Sequence, residues 1–182
     1  SRLKAQASSP SLLHIATHGF FKEDLSANNQ EFTLGVSSEK AQENPLLRAG
    51  LMLKGAEKAL ETQGKVELHS SDNGILTAFE VSTMQLEGTE LVVLSACETG
   101  LGEIKAGEGV YGLQRAFQVA GAEALIMSLW KVSDEATQEL MRKFYQYWME
   151  TGNKEQAFQK AQRALKESYQ DPYFWGAFVL LQ

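Results

Sequence analysis

A single cysteine, Cys97, excludes an intrachain disulfide. A lone thiol fits a reducing compartment, where it is either core filler or a reactive group, so the expected location is cytoplasmic. Histidine is scarce as well, with His14, His18 and His69 scattered along the chain. One cysteine and three dispersed histidines make no metal-ligand cluster, and no metal or other cofactor is expected. No apolar run approaches the roughly 18–20 residues that span a bilayer. The opening SRLKAQASSPS lacks the apolar centre of a signal peptide. Positive charge is in deficit: 17 Lys and Arg against 23 Asp and Glu give a net charge of −6. That balance argues against nonspecific binding to nucleic acid or an anionic membrane. Gly100–Gly109 is glycine-rich but lacks the Gly-Lys-Ser/Thr ending of a phosphate loop.

What is present is ordinary core material. The 182 residues are 43% hydrophobic, enough for one domain with a sizeable core. Leu91–Leu94 is a continuous apolar run, which reads as a strand buried on both faces in a parallel sheet. It stops at Ser95-Ala96-Cys97, ahead of Gly100 and Gly102. Leu12–Thr17 is a second such run, closing at His18-Gly19. Lys22–Glu43 reads as loop, with a brief strand near Phe32–Val36 that would form a hairpin with Gly50–Gly55. Ala56–Ser71 reads as a surface excursion. Thr77 and Glu80 have capping-box spacing and start a short helix. Val110, Leu113, Phe117 and Ala120 mark one helix face, which Gly121 can close. Ala124–Trp130 is another buried strand. Ser133 or Asp134 caps a helix with the face Leu140, Met141, Phe144 and Trp148. Asn153 and Gln156 resemble a further cap, before a stripe of Phe158, Ala161 and Leu165. Asp171-Pro172 ends that helix, and Ala177–Leu181 is a last strand. This order predicts an α/β fold with a mostly parallel sheet and helices on both faces.

In open α/β sheets, ligands and chemistry gather at the carboxyl ends of the strands. Two buried runs end there in a histidine and a cysteine. Adjacent strands lie about 4.8 Å apart, so neighbouring strands would bring His18 and Cys97 together. A neutral imidazole can take the thiol proton and return it to a leaving amine. The backbone N–H groups of Gly19 and Cys97 would form an oxyanion hole, and Gly19 allows close backbone approach. Asp134 follows the third strand and would line an acidic pocket for an Arg or Lys side chain. Glu98, Glu103 and Glu108 are further acidic candidates. Each residue has a structural alternative: a buried cysteine, a histidine satisfied by loop carbonyls, and a helix first-turn aspartate. His14, inside its strand, reads as structural.

LHIATHG (Leu13–Gly19), NPLLRAGLML (Asn44–Leu53), NGILTAFEV (Asn73–Val81), LVVLSACETGLG (Leu91–Gly102), GEGVYGLQRAF (Gly107–Phe117) and SLWKVSDEAT (Ser128–Thr137) together resemble the CHAT domain. CHAT domains are caspase-like cysteine peptidases related to separase. The resemblance runs from about Leu12 to Gln182. It implies a caspase-like α/β/α sandwich and peptide-bond hydrolysis in a protein substrate. His18 would be the base and acid, Cys97 the nucleophile, and the Gly19 and Cys97 amides the oxyanion hole. Separase-like relatives favour a basic residue before the scissile bond, which agrees with substrate binding by Asp134 and Glu98. Family members often follow TPR-type repeats and act in bacterial regulation, defence or programmed death. An upstream sensor or TPR-type domain, or an activating partner, is therefore expected. The Gln-Ala-Cys signature of true caspases is absent, and Asn73 stands where an aspartate is expected. The caspase-like fold also usually has strands ahead of the histidine strand. The expectation is a piece of a larger protein, whose upstream segment completes the sheet. Two rivals stay open: a catalytically silent CHAT-like interaction module, and a doubly wound domain binding a small ligand with His18 and Cys97 far apart.

Overall fold

The computed structural model describes residues 9–21, 44–56, 74–95 and 107–182. Its main sheet has the order β1-β5-β6-β7, with β1 Leu12–Ile15, β5 Leu91–Leu94, β6 Leu125–Ser128 and β7 Phe178–Leu181. The first three strands are parallel, and β7 closes the sheet antiparallel to β6. Every residue of β5 and β6 is buried, as expected for central strands covered on both sides.

Side chains alternate between the sheet faces with period two. Ile15, Val92, Leu94, Leu125 and Met127 join one core. Leu91, Val93, Ile126 and Phe178 join the other. The first core is covered by α1 (Ala78–Ser82) and α2 (Gly107–Val119), through Ala78, Val81, Leu113, Ala116 and Phe117. The second is covered by α3 (Asp134–Thr151) and α4 (Lys154–Ser168), through Leu140, Met141, Phe144, Phe158, Ala161 and Leu165. Helices on both faces of a mostly parallel sheet make the caspase-like α/β/α sandwich.

The helix boundaries follow local chemistry. Thr77 accepts a hydrogen bond from the Glu80 N–H, and Glu80 accepts one from the Thr77 N–H, completing the capping box. Ser133, not Asp134, caps α3, accepting from the Ala136 N–H at 3.3 Å. Gly152 ends α3 in the left-handed conformation, with φ 65°. Asn153 caps α4, accepting from the Gln156 N–H at 2.9 Å.

Three readings change. The Leu12–Thr17 strand ends at Ile15, and His18-Gly19 does not close it: these residues open β2 (His18–Phe21). This strand belongs to a second, antiparallel sheet of order β2-β3-β4, with β3 Ala49–Met52 and β4 Ile75–Thr77. β3 is its middle strand, paired with β2 on one edge and β4 on the other, where the sequence predicts a hairpin with Phe32–Val36. That segment, with the rest of Lys22–Glu43 and most of the 56–71 excursion, lies outside the described residues. A short helix, α5 (Pro172–Trp175), separates α4 from β7. Asp171 caps it through the Tyr173 N–H, and Pro172 sits in its first turn, so Asp171-Pro172 starts a helix and does not merely end one.

Candidate functional site

The parallel register decides which chain segments meet. Ile15 is paired with Leu94, so β1 and β5 leave the sheet at the same edge. The Ser95 N–H donates to the Ile15 carbonyl at 3.1 Å and extends the ladder one step past β5. His18 lies three residues beyond Ile15, and Cys97 three residues beyond Leu94. Leu94 is also paired with Met127, so β6 exits at this edge too. Its continuation leads through Ser133 to Asp134, the first residue of α3.

His18 is exposed and faces Met52 across the β2–β3 pair. The preceding Thr17 hydroxyl donates to the Met52 carbonyl, anchoring the turn between β1 and β2. Gly19 is buried opposite Leu51. The antiparallel ladder therefore fixes the backbone of both residues, a role that reading His18-Gly19 as a strand end does not supply. Asp134 is exposed in the first turn of α3, where the helix dipole favours a carboxylate. Cys97, Glu98 and Glu103 lie outside the described residues. Glu108 falls in the first turn of α2.

The segment carrying Asp134 is held from the far end of the chain. The Leu129 N–H donates to the Ala177 carbonyl at 2.8 Å. The Trp130 indole N–H donates to the Tyr173 carbonyl at 2.9 Å, and the Tyr173 hydroxyl donates back to the Lys131 carbonyl. Val132 is buried in the second core. This clamp depends on α5, and nothing in the local sequence around Asp134 announces it.

His14 has partners that sequence reasoning missed. Its Nε2 is hydrogen-bonded to the Ser95 hydroxyl at 3.2 Å, and its Nδ1 to the Tyr145 hydroxyl at 2.9 Å. Partial desolvation of this still exposed ring lowers its pKa below the ordinary 6.5. Burial likewise pushes Tyr145 up to about 12. The available signal was strand alternation: His14 shares the face of Leu91 and Val93, which α3 covers.

A groove of about 530 Å³ runs along α3, lined by Glu135, Gln138, Glu139, Arg142 and Tyr169. Glu139 is already engaged by Lys143 at 3.6 Å and by the Ser168 hydroxyl at 2.9 Å. The lining contains none of the predicted site residues. Among the described residues no cluster of His, Cys, Asp and Glu could hold a metal ion. Nor is any described helix long and apolar enough to cross a membrane.

Sheet order and layering define a caspase-like α/β protein whose strands β1, β5 and β6 end at one carboxyl edge. The chain belongs to the CHAT domain family, whose model matches residues 1–182. It is also similar to human (Homo sapiens) tetratricopeptide repeat protein 28, with 31% identity over 109 residues. The mouse (Mus musculus) protein of the same name is 28% identical over 109 residues. Each match covers 59% of this chain and 4% of the relative's length.

Proposed function

We propose that this chain is a cysteine endopeptidase domain in which His18 and Cys97 form the catalytic dyad. The observation that carries the reading is the Ile15–Leu94 register, by which β1 and β5 end together three residues ahead of His18 and of Cys97 in the sequence. Family membership supports it, since CHAT domains are related to caspase-like peptidases.

In this mechanism the His18 imidazole takes the Cys97 thiol proton. The thiolate attacks the scissile carbonyl carbon, and the carbonyl π electrons move to oxygen. The Gly19 and Cys97 N–H groups donate to that oxyanion. As the tetrahedral intermediate collapses, the C–N bond breaks and His18 protonates the leaving amine. Water, deprotonated by His18, then hydrolyses the thioester and regenerates the thiol. Asp134 and Glu98 select Arg or Lys before the scissile bond; for Asp134, the support is its exposure at the same edge on a clamped segment. The likeness to a tetratricopeptide repeat protein supports an attached TPR-type sensor domain or an activating partner. The single cysteine supports a reducing, cytoplasmic setting.

The test is cleavage of a fluorogenic peptide library by the full chain and its variants. Cleavage after Arg or Lys is expected, and Cys97→Ala or His18→Ala should each abolish it. Asp134→Ala should lower kcat/KM for Arg and Lys peptides at least tenfold relative to other peptides, about the worth of one charge-assisted contact. An unchanged preference in that variant removes the acidic pocket but keeps the dyad. No cleavage, together with a Cys97 that alkylates like a free surface thiol near neutral pH, leaves the silent interaction module.

A further inference from the structure

The β1–β5 pair carries a feature that the proposed dyad does not use. His14 projects from β1 onto the face that α3 covers. There it bridges two hydroxyls, Ser95 on one ring nitrogen and Tyr145 on the other. Both bonds have normal lengths, 3.2 and 2.9 Å. Ser95 is the first residue after β5, and its own N–H is tied to Ile15. Tyr145 is set in turn by aromatic packing. Its ring lies 5.2 Å from that of Phe144 and 6.5 Å from that of Trp148, within the second core. The His14 and Tyr145 rings are themselves 5.8 Å apart, tilted by 39°.

We infer that His14 is a positioning residue, tying the exit of β5 through Ser95 to Tyr145 on α3. The inference rests on the proposed function, in which residue 97 must meet His18 in a fixed geometry. Ser95 stands two residues before Cys97, and few degrees of freedom separate them. A backbone N–H bond alone fixes the position of Ser95 but leaves its rotation about the strand axis free. The side-chain bond to His14 adds the second point of attachment. Histidine suits the task because one neutral ring supplies a donor and an acceptor in opposite directions. Each hydroxyl can take either role, so the bridge is satisfied in both tautomers. Small misplacements of a reacting group have large kinetic costs.

The test uses the two half-replacements of histidine. In His14→Gln the amide reaches the place of Nε2 and keeps the bond to Ser95. In His14→Asn it reaches only the place of Nδ1, keeping Tyr145 and losing Ser95. Ser95→Ala and Tyr145→Phe each remove one hydroxyl and nothing else. Alkylation by iodoacetamide reports on Cys97 without ambiguity, because the chain has one cysteine. It is measured on the full chain at neutral pH, beside kcat and KM for the best library peptide.

His14→Asn and Ser95→Ala should slow alkylation and lower kcat by about tenfold, the worth of one lost hydrogen bond, with KM within about twofold. Tyr145→Phe should lower both by at least about threefold, and His14→Gln should stay within about threefold of the parent. A His14→Gln as damaged as His14→Asn overturns the inference, as does a series with no change. A Tyr145→Phe indistinguishable from the parent overturns the link to α3. If the parent cleaves no peptide, the peptidase reading fails and the alkylation series still decides: the predicted ordering upholds the positioning role, and equal rates overturn it.

Discussion

Among the described residues, the fold alters the ionisation of His14 and Tyr145 most clearly, and in opposite directions. Partial desolvation lowers the pKa of His14 below 6.5, so the unfolded chain binds a proton that the folded chain resists. The stability that this group contributes is intact above about pH 6.5 and is lost as pH falls through the lowered folded value. Thermal melting of the parent should therefore weaken more steeply below pH 6.5 than melting of His14→Gln. Tyr145 is raised from 10.0 to about 12, so its contribution is intact below pH 10 and fades as pH climbs toward 12. Tyr145→Phe should remove a late component from the tyrosinate absorbance rise, and equal curves in the two proteins would contradict this. The site itself was partly legible at this scale. His18 and Cys97 stand out because histidine and cysteine are scarce in the chain. Ser95 and Tyr145 did not stand out, because serine and tyrosine are common and their meaning comes only from what faces them across the sheet.

Among the elements, those set by neighbours in sequence are the ones a sequence announces. Thr77 and Glu80 sit one helical turn apart, and the reciprocal cap they form needs nothing beyond their own backbone. Thr77→Ala should cost about 1 kcal/mol in urea denaturation at unchanged slope. The strand β3 is the contrary case. Gly50 is required because a Cβ there would come within 2.6 Å of the Leu76 carbonyl oxygen and 2.7 Å of the Phe20 ring. Those atoms belong to β4 and β2, distant in sequence, so no local pattern could reveal the constraint. Gly50→Ala should cost about 1–3 kcal/mol, the range for forcing extra atoms into a packed space. A melting curve equal to the parent's would show that the small sheet relaxes around it. Among the elements missed, beside the short strands β2 and β4, is α5, which is too short to show a helical period but clamps the segment ahead of Asp134.

At the scale of the whole molecule, the two larger cores among the described residues share the main sheet. Phe117 on α2 and Phe144 on α3 are both fully buried, on opposite sides of β5 and β6. Each strand lends alternate residues to each core, so neither core can melt and leave the other intact. Phe117→Ala and Phe144→Ala should each cost about 3–5 kcal/mol. Far- and near-ultraviolet circular dichroism should still report one coincident transition in both variants, and separated transitions would mean that the cores unfold independently. The α/β class, the buried strands at Leu91–Leu94 and Leu125–Ser128, and the helices that follow them were settled by the sequence alone. Apolar runs and helical stripes are local patterns, and burial enforces them wherever the segment packs. Tertiary structure decided what local pattern cannot encode: the Ile15–Leu94 register, the transfer of His18-Gly19 to a second sheet, and the hold on Asp134 from Tyr173. These depend on hydrogen bonds between segments far apart in sequence, and such pairings exist only once the layers are packed.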